Sequence, residues 1–592
     1  MLGARAWATP MTSPNGKITA TVDGRSVKVS YRQQLVLDIT EAGIDGTAKP
    51  VFTQRVKADY RMLAGKRSHC TNEANEYQIG TTLLRIYNDG IALRESSIIH
   101  HPSSIIYCIP EGTRRWMQQW CDSYEGFFPL STTYKVAPVP SYSGISKSAE
   151  GWNNRWGYPA LLEVESTKGA AGTGSTFVLL TEANIGHGQS ASCLMNDGEL
   201  FRVVPAAQQE GSERAASPWR VAIIGTLKEV VESTLVTDVS DPCQIADTSW
   251  IRPGVVSWIY WAYNHGSNDY NIIKKYVDMA ATLHLPYVLI DAEWDEMRDG
   301  KSIEDALDYT REKGVRPLIW YNSSIGWVDG APTPKFRLNK PEDREREFAW
   351  CERMGVAGVK IDFFSGDDQR NMDFQQELLE SAARHHLLVN FHGATVPRGW
   401  QRTWPNLMST EGVYGAEWYN NVPTFTQQAA CHNATLPFTR NVIGPMDYTP
   451  CTFSDSQHPH ITTHGHELAL TVLFESGLQH LADRPESYLA QPQQVRDFLS
   501  TLPAAWDETH LVAGYPGEYV VMARRSGNKW YMAGINGTDS VKQVPLDFGG
   551  KKATLFTDQP GKERAWRIEL LQKVPKSIEI QPRGGFCYIW KN

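Results

Sequence analysis

From Trp250 onward, short apolar segments alternate with stretches of helical periodicity. That alternation limits the possible folds more than any other feature of the chain. The segments expected as strands are 255–263, 287–291, 316–321, 358–363, 386–391, 406–410, a weaker one near 433–438, and 477–481. Between them, 271–283, 303–313, 341–354 and 373–385 repeat apolar residues at the spacing of one helix face. Eight strands over about 230 residues, with helical segments between them, predict a (β/α)8 TIM barrel.

The flanks read differently. Residues 11 to about 245 are rich in Val, Ile and Thr with period-two alternation. Asp23-Gly24 marks a turn within 17–40, and Asn88-Asp89-Gly90 marks a hairpin between strands 81–87 and 90–95. Further strands at 175–181 and 219–225 make this region a large β-sandwich. Beyond about residue 500 the β character returns at 518–525, 529–534 and 585–590, which predicts a small β-sandwich. The domains expected are thus 11–249, 250–500 and 501–592, with residues 1–10 set apart. There, LGARAWATP holds a small-x-small pattern at Ala6-Trp7-Ala8 but no preceding apolar region. It reads either as the tail of an export signal, which would place the protein in a bacterial periplasm or outside the cell, or as a disordered terminus.

In a parallel barrel the catalytic groups stand at the C-terminal ends of the strands. Asp362 ends the segment 358–363 and is followed at once by a Gly366-Asp367-Asp368 loop. A carboxylate at the tip of an apolar strand is costly to bury unless it has a use. Asn264, Asp291, Asn322, His392, Glu411 and Glu417 fall at or near other predicted strand ends. Taken singly, each fits a helix cap or a turn. Taken together they point at one place, because only that rim of a barrel converges. Two carboxylates flanking one bond are what glycoside hydrolysis requires. Asp291, Asn322, His392, Arg402 and Trp404 are candidates to face a sugar. Arg398, Trp400, Trp418 and Tyr419 share the same stretch, 391–421. For these Trp and Arg side chains, packing of the rim against the β domain is the competing reading.

Other chemistries lack support. A net charge of −8 gives no basic surface for nucleic acid or anionic lipid. No apolar run is long enough to span a membrane. There is no G-x-S-x-G elbow, P-loop, H-E-x-x-H or dinucleotide fingerprint. Nine cysteines include no C-x-x-C pair, and the odd count leaves at least one free thiol.

The stretches RIYNDGIALR (85–94), YEGFF (124–128), YPALLE (158–163), SPWRVAIIG (217–225), DTSWIRPGVVSW (247–258), GVKIDFF (358–364) and NLMSTEGVYGAEW (406–418) occur in order. Together they resemble glycoside hydrolase family 97 over nearly the whole chain. The resemblance implies an N-terminal β-super-sandwich, a catalytic barrel and a C-terminal β-sandwich. Inverting members, similar to α-glucosidases, carry a Glu in a His-Glu pair after the fifth strand and no carboxylate at the position of Asp362. Here that pair reads His392-Gly393 and Asp362 is present. This resembles the retaining, α-galactosidase branch and implies Asp362 as nucleophile and Glu417 as acid/base. The family also implies a calcium ion, with Glu411 and Glu417 as two ligands and Glu163 as the candidate third. An inverting α-glucosidase and a non-catalytic carbohydrate-binding protein are the alternatives.

Overall fold

The computed structural model describes residues 10–95, 105–135, 154–165, 174–206, 217–262, 266–420, 422–562 and 564–591. Ala6-Trp7-Ala8 and Asn264 lie outside the described residues.

The N-terminal region folds as an eight-stranded and a nine-stranded sheet, antiparallel throughout their ladders, packed face to face. The expected hairpin forms with Tyr87 opposite Gly90, so only Asn88 and Asp89 make the turn. Strand Thr176–Ala183 is buried along its whole length, as is Trp219–Gly225. Period-two geometry explains why. Val178, Leu180, Ala222 and Ile224 face the other sheet of the sandwich, whereas Leu179, Val221 and Ile223 enter the core shared with the barrel. The nine-stranded sheet is therefore covered on both sides, and its central strands read as unbroken apolar runs.

The central region is a parallel, near-closed, TIM-like barrel. Its strands are β1 (Gly254–Ile259), β2 (Tyr287–Ile290), β3 (Arg316–Asn322), β4 (Gly358–Asp362), β5 (Leu388–Phe391), β6 (Leu407–Thr410) and β7 (Leu478–Leu481). They pair in the order β6-β5-β4-β3-β2-β1-β7. Helices Tyr270–Thr282, Ile303–Glu312, Pro341–Arg353 and Gln369–Arg384 form where the periodicity predicts them.

The strand expected near 433–438 does not form. Helix Pro423–Asn433 reaches into that stretch and a 3-10 turn, Leu436–Phe438, follows it. Pro437 has no N–H to give to a ladder, which disfavours a strand there. The gap between β6 and β7 is closed by residues 440–447 instead. Asp447 N donates to the Thr410 carbonyl at 3.1 Å and Met446 N to that of Glu475 at 2.8 Å. The buried Arg440 guanidinium donates to the carbonyls of Gly412, Gly444, Thr410, Glu411 and Pro445 at 2.9–3.2 Å. This cation satisfies buried carbonyls of the loop after β6 and of the segment 440–447.

The C-terminal β-sandwich holds a six-stranded sheet and a two-stranded ribbon, Lys542–Pro545 with Ser577–Ile580. Helix His464–Leu473 of the barrel lies against it. A Cβ at Gly465 would stand 2.4 Å from the Gly585 carbonyl, so the helix approaches the sheet as only glycine allows. One apolar core runs without interruption from the N-terminal sheet through the barrel into this domain. Among the described residues no disulfide joins any of the nine cysteines.

Candidate active site

Lys360 and Asp362 are two residues apart on β4 and so project to the same side of the strand. The Lys360 ammonium lies 3.1 Å from Asp291 Oδ2, just past the end of β2, and 3.8 Å from Asp362 Oδ2. Two indoles complete the arrangement. Trp258 Nε1 donates to Asp291 Oδ2 at 2.7 Å and Trp320 Nε1 to Asp362 Oδ2 at 3.1 Å. The other Asp362 oxygen accepts from Phe363 N at 2.8 Å. A buried cation thus sits between two carboxylates whose planes are fixed by hydrogen bonds.

A second group of acids follows β6. Glu411 accepts from Gly393 N at 2.7 Å and pairs with His392 Nδ1 at 3.3 Å. Glu417 stands on the 3-10 turn Ala416–Asn420. One donor atom each from His392, Glu411 and Glu417 lies within 4.8 Å of the others. Glu125 reaches the same place from the N-terminal domain and is held by Trp418 Nε1 at 2.6 Å. Asp291, Asp362, Glu411, Glu417 and Glu125 all line one cavity of about 1170 Å³, with Lys360, Trp320, Trp327 and Trp418 in its wall. That volume exceeds the range of most small-ligand sites.

Three family profiles match this chain in the order of its domains. They are "Glycosyl-hydrolase 97 N-terminal" over 11–242, "Glycoside hydrolase 97" over 254–413 and "Glycosyl-hydrolase 97 C-terminal, oligomerisation" over 505–591. A Streptomyces bingchenggensis protein named "Probable retaining alpha-galactosidase" is 34% identical over 523 residues, covering 85% of this chain and 73% of that protein. The chain belongs to glycoside hydrolase family 97. A retaining alpha-galactosidase of Bacteroides thetaiotaomicron is 26% identical across 98% of this chain and 96% of its own. The crystal structure of a beta-arabinopyranosidase superposes with a TM-score of 0.83 at 27% identity, covering 98% of this chain and all of that one.

The cavity of this family 97 glycoside hydrolase is crowded with carboxyls, and they cannot all ionise together. Burial and the Glu411 carboxylate push the Glu417 carboxyl well above the ordinary carboxylate range. Burial and the same neighbour do this to Glu125. Burial also raises Asp362, although Lys360 and His392 oppose the shift. Glu411 goes the other way despite its burial, because the His392 imidazole and the Gly393 N–H favour its charged form. His392 is itself held by Asp447 at 2.7 Å, and His480 lies 2.9 Å from that same carboxylate.

Several residues singled out from the sequence stand elsewhere. Glu163 does not reach the cavity. It accepts from Tyr515 Oη at 2.6 Å and pairs with Arg114 at 3.4 Å, tying the N-terminal domain to the C-terminal one. From the N-terminal domain Glu125 lines the cavity. Arg402 is a domain rivet, donating to the carbonyls of Thr237, Asp238 and Ser240 at 2.8–3.1 Å and lying over the Tyr60 ring. Trp404 packs against the core next to it, away from the cavity. Arg398 is fully buried, bonded to Asp367 at 2.7 Å and paired with Glu182 at 3.0 Å. Packing of the rim on the β domain therefore accounts for Arg398, Arg402 and Trp404. Asn322 acts through the loop after β3, accepting from Ser324 N and donating to the carbonyls of Trp327 and Pro332. His392 sits behind the wall and touches the cavity through Glu411.

Gly393 leaves little room for a side chain beside Asp362. Its φ is +49°, and a Cβ there would meet Phe363 N at 3.0 Å and Asp362 Oδ1 at 3.1 Å. We expect Gly393→Ala to cost about 10²-fold in kcat by displacing the Asp362 carboxylate by a fraction of an ångström. Kinetics beside a thermal melt would test this, and unchanged kcat would show that the contact is tolerated.

Proposed function

We propose that the chain is a retaining, exo-acting α-galactosidase that hydrolyses terminal α-galactosides. In this reading Asp362 attacks the anomeric carbon while Glu417 gives its proton to the glycosidic oxygen, and the leaving alcohol departs. The sugar is then held on Asp362 as a β-linked ester. Glu417, now a carboxylate, takes a proton from water, the water displaces Asp362, and the sugar leaves with its α configuration kept. Asp291, beside Lys360, offers hydrogen bonds to the hydroxyls of the ring.

The observation that carries the reading is the contact at Gly393. A Cβ there would stand 3.1 Å from Asp362 Oδ1, so a side chain on that loop would crowd the carboxylate on β4, and glycine leaves it room. The arrangement of Glu417 also supports it. A buried carboxyl held protonated by its surroundings is what a general acid needs. Proton NMR of the first-formed sugar tests the stereochemistry: the α-anomer should appear before mutarotation, and first-formed β-anomer would overturn the retaining assignment.

His392, Glu411 and Glu417 each bring a donor atom within 4.8 Å of the others, and Glu125 lines the same cavity, a mostly carboxylate set that suits a hard cation such as calcium. Bound there, the ion would supply positive charge beside the leaving-group oxygen. We expect chelator dialysis to lower activity at least about tenfold and to lower the melting temperature, with calcium restoring both. Full activity and an unchanged melt after chelation would remove the ion from the proposal.

A second glycone is favoured by the 27% identity to a beta-arabinopyranosidase. β-L-arabinopyranosides share the ring geometry of galactose without its hydroxymethyl group. A panel of p-nitrophenyl glycosides, with α-glucosides included, would rank these sugars.

A further inference from the structure

The loop 453–460 carries Gln457 into the wall of the cavity, and this loop is held from outside the barrel. Arg564 of the C-terminal domain reaches over and donates to both Asp455 oxygens at 2.8 Å, and to the His460 carbonyl at 3.0 Å. His460 Nδ1 lies 2.9 Å from the same carboxylate. A bidentate guanidinium-carboxylate pair closed by an imidazole ties Asp455 to His460, while Asp483 holds the start of the loop, accepting from Phe453 N at 2.7 Å and Ser454 N at 2.8 Å. The loop is also pinned to the segment that bears Glu417. His458 N donates to the Tyr419 carbonyl at 3.0 Å, and the His460 and Tyr419 rings touch at 5.8 Å between centroids.

That second attachment gives the loop a direction. An acid/base protonates the glycosidic oxygen, so the departing group lies on the acid's side of the broken bond. The turn Ala416–Asn420 carries Glu417 and, through Tyr419, positions Gln457. Asp291, Lys360 and Asp362 stand on or at the ends of barrel strands, whereas Glu417 and Gln457 are carried by two loops joined through the His458–Tyr419 hydrogen bond. Gln457 is exposed, and its amide carries both donors and an acceptor, the pattern that matches sugar hydroxyls.

We propose that Gln457 is a specificity-determining residue for the leaving group, that the leaving group it recognises is a hydroxylated sugar, and that Arg564 positions it from the C-terminal domain. The inference rests on the reading of Glu417 as acid/base. It makes the C-terminal domain part of substrate selection, and it makes saccharides, rather than aryl glycosides, the substrates the site is shaped for.

The test compares kcat/KM for an α-galactosyl disaccharide with that for p-nitrophenyl α-galactoside, whose leaving group has no hydroxyls to bind. In Gln457→Ala the ratio of the two should fall about tenfold, the loss of one good hydrogen bond to a bound hydroxyl. Arg564→Ala should move the ratio in the same direction, the double variant should lose little more, and Arg564→Lys should recover part of it. A loop that only supports the fold would lower both substrates together and leave the ratio unchanged. Should Arg564→Ala melt too low to assay, Asp455→Asn probes the same clasp. A ratio within twofold of the parent in both Gln457→Ala and the clasp variant overturns the proposal. Failure of the underlying reading shows separately, as undiminished disaccharide turnover in Glu417→Ala.

Discussion

Asp362→Ala is expected to lower kcat by about 10⁴-fold or more, because on the proposed mechanism it removes the nucleophile and with it the covalent route. The fold should survive. Asp362 ends β4 and its carboxylate is held by Trp320 and Phe363 N, so the change empties a polar pocket and leaves the strand ladder in place. The Lys360 ammonium keeps Asp291 at 3.1 Å and does not become an unpaired buried charge. The specific outcome is rescue by azide. A small anion admitted to the space beside Gly393 should attack the same face of the sugar and give a β-glycosyl azide. Rescue with that anomer places the nucleophile at Asp362. Turnover unchanged by the substitution ends its role, and trapping with a 2-fluoro galactosyl reagent should label the peptide that contains it.

The acid/base variant should behave differently in each respect. Glu417→Ala removes the proposed proton donor, which should cost about 10²–10⁴-fold on saccharides, whose leaving groups are poor. Loss on a p-nitrophenyl glycoside should be smaller, since that alcohol departs without a proton. Azide should again restore turnover, now by attack on the glycosyl-enzyme, and the product should be the α-glycosyl azide. The two variants thus predict opposite anomers from one reagent, and the same anomer from both would sink the assignment of roles. The pH dependence follows from the sign of the shift. Burial and Glu411 raise the Glu417 carboxyl, so saccharide hydrolysis should fall as pH rises through that raised value. This alkaline limb should vanish in Glu417→Gln, which has no proton to lose.

Much of this architecture was legible in the residues. The hairpin at Asn88-Asp89, the four barrel helices and most barrel strands follow from period-two and period-3.6 patterns and from turn residues, all of which are local. The same local logic failed at 433–438. There Pro437 already spoke against a strand, and what the sequence did not show is that residues 440–447, held by five Arg440 hydrogen bonds to carbonyls, lie between β6 and β7. Of the candidate site residues, Asp291, Asp362, Glu411 and Glu417 converge on one cavity because strand ends on one rim must converge. Glu163, Arg402 and Trp404 do not, because each is used where two domains meet, and no local pattern marks such a meeting.

The sequence by itself determined the order of β-sandwich, barrel and β-sandwich, and the strand and loop that carry Asp362, Glu411 and Glu417. Only the tertiary structure decided that Glu125 joins them, for its hydrogen bond to Trp418 spans 293 residues of chain. It also decided that Lys360 stands between Asp291 and Asp362, and that Arg564 holds the loop bearing Gln457. The reason is physical: backbone geometry repeats over a few residues and leaves its period in the sequence, whereas a contact between domains depends on how whole surfaces dock.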